Sequence, residues 1–160
     1  MAAPPLFDIS HLDLSHTQVD AAGIEKYNKQ RGAARMIDRF IHVSEDWKQA
    51  VAARRVRDDE WWCEGHIPGE PILPAVLMVE AAAQIASYLF QCREWIHYEF
   101  VGFTGIDNTK FRSVVVPGDE LILLGQEVKY HPKRMICDVQ GWVEDRFCFE
   151  TRVTGMPVLP

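Results

Sequence analysis

Between Gly65 and Gln84 the chain reads GHIPGEPILPAVLMVEAAAQ, which puts one histidine and one carboxylate in settings suited to proton transfer. His66 precedes Ile67-Pro68-Gly69-Glu70-Pro71, a stretch whose prolines fix φ and remove backbone donors, so it is neither helix nor regular strand. Irregular loops held over a scaffold commonly carry catalytic groups. Histidine ionises nearer neutral pH than any other side chain, which suits it to act as a general base. Taken alone, such a residue is more often an ordinary loop histidine than a catalyst.

The second group lies in the next segment. From Ile72 to Cys92, Glu80 is the one residue charged at neutral pH, and Pro74 stands where a first helical turn would begin, its missing N–H costing nothing there. The pattern predicts a helix from about Pro74 to Gln91. Glu80 shares a face with Val76, Leu77, Ala83 and Gln84, while Met78, Ala82 and Ile85 cover the opposite side, so the helix is apolar all round and expected to be buried on every side. Loss of hydration disfavours the ionised form of a carboxyl group, making Glu80 a candidate general acid. The structural alternative is a glutamate satisfied by Gln84 or by a backbone group. A membrane span does not fit, because Glu80, Gln84 and Ser87 fall mid-segment and the run is rich in alanine rather than leucine.

The 160 residues suffice for one domain with a real core, and a net charge of −6 argues against a nucleic-acid or anionic-membrane partner. Lys129, Lys133 and Arg134 form the nearest thing to a basic patch, more simply read as a solvated turn than as a carrier-protein contact. Cys63, Cys92, Cys137 and Cys148 show no C-x-x-C spacing and no secretory leader precedes them, so reduced thiols in a cytoplasmic protein are expected. His11, His16, His42, His97 and His131 are dispersed, and there is no glycine-rich phosphate loop; neither a metal nor a nucleotide cofactor is implied. Gly155 to Pro160 carries no recognisable targeting signal.

Residues 1–29 read as an arm with a short helix near Asp20 to Tyr27, packed on a single domain of residues 30–160. Strand signals run over Met36–Val43, Gln49–Val56, Glu60–Cys63, Glu120–Tyr130, Arg134–Val143 and Phe147–Val153, with His131-Pro132-Lys133 and Glu144-Asp145 as hairpin connections. Trp61 and Trp62 read as core aromatics on a strand. Several antiparallel strands and one helix too apolar to sit outside predict an α+β domain whose sheet curls around a long central helix.

The string from His66 to Gln84 resembles the signature of the hot-dog-fold (3R)-hydroxyacyl-acyl-carrier-protein dehydratases, the FabZ/FabA group, with His66, Pro68, Gly69, Pro71, Pro74, Val76, Glu80 and Gln84 in register. The glutamate favours the FabZ branch. Phe103 to Leu121 resembles the family's later strand pair and turn. The resemblance implies syn dehydration of (3R)-3-hydroxyacyl thioesters on acyl-carrier protein or coenzyme A, with His66 as base and Glu80 as acid. It assigns the substrate to the Ala75 N–H, Gly69 and Gln84, and implies a homodimer or a trimer of dimers. This chain departs from the pattern at Ile67, which replaces a phenylalanine, and at Ala75, which replaces a glycine. It also has Gln30-Arg31-Gly32-Ala33-Ala34 in place of a His-Arg-x-Pro-aromatic motif. A coenzyme A-dependent hydratase, a thioesterase and a non-catalytic acyl-binding subunit remain alternatives.

Overall fold

A computed structural model describes residues 4–93 and 98–158; the expectations about His97 and the last two residues fall outside this set. The elements in chain order are α1 (Ala21–Glu25), a 3₁₀ turn (Gly32–Ala34), β1 (Arg39–Val43), β2 (Gln49–Arg55), α2 (Ala75–Gln91), β3 (Phe100–Phe111), β4 (Glu120–His131), β5 (Arg134–Val143) and β6 (Arg146–Val158). The strands form one antiparallel sheet in the order β1-β2-β4-β5-β6-β3, and α2 packs across its concave face against β2 to β6. This is the hot-dog arrangement.

Alternation along the strands explains why the apolar runs are continuous rather than period-two. In β4, Leu121 and Leu123 enter the core shared with Ile85, Leu89 and Phe90 of α2, whereas Ile122 and Leu124 face the other way into a second cluster with Ile41, Val51 and Ala53. That outer face is covered by Leu6, Phe7, Ile9 and Leu12 of the N-terminal segment, so both faces of the sheet are dry there. Gln140 holds the segment, its Oε1 accepting from Leu6 N at 3.0 Å and its Nε2 donating to the Pro4 carbonyl at 3.3 Å. Asp20 caps α1 by accepting from Gly23 N at 2.9 Å.

Three sequence expectations change. Glu60–Cys63 is a turn, closed by Cys63 N donating to the Glu60 carbonyl at 2.9 Å; Trp62 is core as expected, but Trp61 is 66% exposed. Phe100–Phe111, where only the resemblance from Phe103 onward implied a strand and the residue pattern gave none, is a full strand on the sheet edge. The central helix is not buried on every side: Met78, Val79, Ala81, Ala82 and Ile85 are covered, but Val76 is 69% exposed and Leu77, Glu80 and Ala83 are half-buried. One chain supplies a sheet for one side of the helix and leaves the Val76 and Glu80 side open.

Opposite Ile85 of α2, β4 carries Gly125, and a Cβ there would lie 2.4 Å from Ile85 Cγ2. That methyl branches directly from Cβ of a fully buried isoleucine, whose χ1 has one strongly preferred setting in a helix, so it gives way only at a cost. Gly125→Ala is therefore expected to lower stability by about 1–3 kcal/mol, the usual cost of overpacking, read as a reduced urea midpoint.

All four cysteines are free thiols. Burial pushes the Cys92 thiol up to about 12 and raises Cys137 and Cys148 as well, while Cys63 is only half-buried. Because the thiolate is the reactive form, the three buried thiols stay protonated through neutral pH. Native-state alkylation near pH 8 is expected to modify Cys63 first, with mass mapping as the check.

Candidate active site

The loop that carries His66 is fixed at each step by its own backbone. Gly65 N and His66 N donate to the Trp62 carbonyl at 3.3 and 2.9 Å, and Glu70 N donates to the Ile67 carbonyl at 3.0 Å. The last bond closes a turn with Pro68 and Gly69 at its centre. Gly69 has φ of 84°, the left-handed value that a type II turn needs at its third position and that other residues reach only with strain. Leu73 N then donates to the Val115 carbonyl at 2.8 Å, fixing the entry to α2.

Within this frame His66 Nδ1 lies 2.8 Å from the Ile72 carbonyl. A carbonyl only accepts, so Nδ1 carries the proton, and in the neutral ring Nε2 is left as the lone basic nitrogen. The ring is exposed. α2 begins immediately beyond, with Pro74 as an N-cap that offers no side-chain acceptor. Leu77 N is satisfied by the Pro74 carbonyl at 2.9 Å, whereas the Ala75 N–H has no intrahelical partner and points out at the positive end of the helix dipole.

Glu80 sits one and a half turns along α2, half-buried, and its Oε1 accepts from Gln84 Nε2 at 2.8 Å. Gln84 is buried, and its other amide hydrogen goes to the Ala34 carbonyl at 2.8 Å while its Oε1 accepts from Met36 N at 2.8 Å. Its backbone carbonyl accepts from Asn28 Nδ2 at 2.9 Å. Both amide hydrogens are thus committed within the chain. Beside Glu80 is a cavity of about 50 Å³ whose lining includes Gln30, Ala83, Ser87, Phe103 and Met135 but not His66. Gln30 Oε1 is buried without a partner.

Glu60 and Arg54 went unnoticed in the sequence. Their side chains, 6% and 4% exposed, form an ion pair beneath the His66 loop, and Glu60 Oε2 also accepts from Trp62 Nε1 at 2.9 Å. Neither stands in a motif, and their pairing depends on tertiary contact alone.

A family model described as the FabA-like domain matches residues 29–152. The chain belongs to the FabA-like family. Among relatives of this FabA-like chain, the 3-hydroxyacyl-acyl-carrier-protein dehydratase FabZ of a Thermoanaerobacter species is 41% identical, over 63% of this chain and 70% of that protein. FabZ of Streptococcus suis is 34% identical over 74% of this chain and 84% of that protein, and FabZ of Streptococcus sanguinis 32% over 85% and 96%. Among solved structures, the dehydratase heterocomplex ApeI:P from Xenorhabdus doucetiae superposes with a TM-score of 0.72 at 12% identity, covering 84% of this chain and 90% of that one. A sigma28-regulated virulence protein from Campylobacter jejuni gives 0.67 at 14%, covering 92% and 96%. At these identities the structural likeness shows the fold.

In this FabA-like chain Gln84→Leu would leave the buried Met36 N–H without its partner and break the bond to the Ala34 carbonyl. The expected loss is about 1–3 kcal/mol, measured by urea unfolding.

Proposed function

We propose that this chain is a hydro-lyase that removes water from (3R)-3-hydroxyacyl thioesters carried on acyl-carrier protein, giving trans-2-enoyl thioesters for fatty-acid or related lipid synthesis. The relatives named above carry that dehydratase name. The observation that carries the reading is the Nδ1–H bond from His66 to the Ile72 carbonyl, which leaves Nε2 as a base in a fixed loop at the mouth of α2.

In the proposed reaction His66 Nε2 takes the proton from C2 of the acyl chain. Charge moves onto the thioester oxygen, which the Ala75 N–H receives at the positive end of α2. The C3–O bond breaks syn to the departing C2 proton, and Glu80, entering as the carboxylic acid, protonates the leaving oxygen as water. With Oε1 accepting from Gln84, Oε2 is the oxygen that presents this proton. Of the other residues assigned to the substrate, Gly69 shapes the loop and Gln84 works through Glu80.

The working unit of this reading is a homodimer in which one subunit's His66 faces the partner's Glu80. Three features of the single chain support it. His66 does not line the cavity beside Glu80, and that cavity, about 50 Å³, is far below the roughly 300 Å³ at which ligand pockets begin. Second, among the described residues β3 pairs only with β6 and exposes Phe103, Ile106 and Phe111 along the sheet edge, while the opposite edge strand β1 is covered by Val19, which bridges to Phe40. Third, the open side of α2 carries Val76 and Glu80. A second copy would close all three, and assembly into a trimer of dimers belongs to the same proposal. The catalytic domain is residues 30–160, with residues 1–29 as its arm, and its place of work is the cytoplasm; no helix among the described residues is long and apolar enough to cross a membrane.

The test is hydration of short and long trans-2-enoyl thioesters, on acyl-carrier protein and on coenzyme A. His66→Ala and Glu80→Gln are each expected to lower kcat by roughly 10²–10⁴-fold with the fold intact. Mixing the two inactive variants should restore about a quarter of wild-type activity, because random assortment makes half of the dimers mixed and each regains one of its two sites. Faster turnover on coenzyme A would reassign the carrier, and thioester binding without turnover would make the chain an acyl-binding subunit.

A further inference from the structure

Arg54 and Glu60 are the two buried charges beneath the His66 loop, and the reaction proposed above uses neither. Glu60 commits both carboxylate oxygens: Oε1 accepts from Arg57 N at 3.0 Å, and Oε2 takes the Arg54 guanidinium and the Trp62 indole N–H. Trp62 is 1% exposed, and its carbonyl is the acceptor for the N–H of His66 itself. One arm of contacts therefore runs from Arg54 through Glu60 and Trp62 to His66.

A second arm starts at the same guanidinium. Arg54 Nη1 donates to the Arg35 carbonyl at 3.4 Å. The residues on either side of Arg35 are the partners of Gln84, through the Ala34 carbonyl and Met36 N, and Gln84 Nε2 holds Glu80. Three consecutive backbone units thus lie between Arg54 and the carboxyl group of Glu80.

We infer that the Arg54–Glu60 ion pair is a positioning junction that sets the places of both proton-transfer residues, His66 through Trp62 and Glu80 through Ala34–Met36 and Gln84. The inference rests on the reading of those two residues as base and acid. Stability alone is a poor account of the pair. A buried ion pair loses hydration that its attraction only partly restores, and apolar residues of similar size commonly serve as well. Here Arg54 Nε is also left without a partner, so the junction is not even fully satisfied. What it provides is direction: one planar guanidinium presents donors to two segments at fixed angles, which neither a lysine nor an apolar side chain does. In the proposed dimer the acid and base of one site come from different chains, so each junction sets one residue in each of the two sites.

The test uses full-length Trp62→Phe and Glu60→Gln. Trp62→Phe removes the indole N–H and leaves the ion pair in place, so it still decides the His66 arm if Glu60→Gln, which sets an amide NH2 against one of the donors that the carboxylate accepts from, does not fold. A misplacement of about 1 Å can cost ~100-fold in rate, so kcat is expected to fall roughly 10- to 100-fold with KM little changed. Ring ¹⁵N spectra should show the single His66 tautomer, with Nδ1 protonated and Nε2 bare, giving way to a mixture. In mixed dimers, Glu60→Gln on the chain that supplies only Glu80 should also lower kcat. Folded variants with kcat within about twofold of wild type and an unchanged His66 spectrum would overturn the junction, and a loss confined to the chain supplying His66 would overturn its second arm. Failure of the underlying reading looks different, since His66→Ala would then keep its activity.

Discussion

A polar amide inside an apolar helix has to find its partners within the protein, because a buried donor or acceptor left unpaired costs about 1–3 kcal/mol. Gln84 meets that requirement with Ala34, Met36 and Glu80, while its backbone carbonyl takes the Asn28 amide. These bonds decide where the segment from Asn28 to Met36 runs, since no regular element holds most of it. They also decide the orientation of Glu80, whose carboxyl group would otherwise sample several rotamers on the open side of α2. The chain's entry into β1 and the orientation of the half-buried Glu80 carboxyl group thus depend on one side chain.

The second constraint is coverage. A sheet bent around a helix leaves two edges and one helix side unprotected, and this chain treats them unequally. Its N-terminal segment lies over the outer face and its Val19 backbone pairs with Phe40 at the β1 edge. The β3 edge and the Val76–Glu80 side of α2 receive no such cover among the described residues. Exposed strand edges invite pairing with another chain, and proteins that do not use them blunt them with charge, proline or a covering segment. A chain that spends its arm on one edge and keeps Phe103, Ile106 and Phe111 on the other is consistent with self-association there.

Much of this was legible in the sequence, and the failures have local causes. The helix announced itself through Pro74 and a run with one charge, and the hairpin turns after β4 and β5 through short polar breaks between apolar strands. Glu60–Cys63 misled because four residues with two tryptophans have the same pattern in a strand as in a turn. The Glu60 carboxylate bonding to Arg57 N decided between them. β3 shows in the resemblance but not in its own residue pattern, because Gly102, Gly105 and the irregularities at Phe103/Gly105 and Asp107/Lys110 break the alternation by which strands are recognised. The expectation of a helix buried on every side failed for another reason: composition reports how apolar a surface is, not which chain covers it. The Arg54–Glu60 junction lay beyond any local pattern.

The departures from the family pattern follow a physical rule. Ile67, Ala34 and Ala75 each replace a different family residue, and each contributes a backbone atom: the Ile67 carbonyl closes the Gly69 turn, the Ala34 carbonyl receives Gln84, and the Ala75 N–H heads α2. A backbone group is supplied by every residue able to adopt the local φ and ψ, so side-chain identity at these positions is free to drift without altering the bond. The positions that match are those where the side chain or its torsion is itself the part required. His66 and Glu80 offer ring nitrogen and carboxyl, Gln84 its amide, Gly69 its positive φ, and Pro68, Pro71 and Pro74 their fixed φ. Gln30 breaks the rule, because its side chain enters the lining of the Glu80 cavity with an unpartnered oxygen. Under the proposed function, differences in acyl preference from the relatives would arise at Gln30 and from the space taken by the Ala75 methyl group, since His66 and Glu80 themselves keep the residue types of the family pattern.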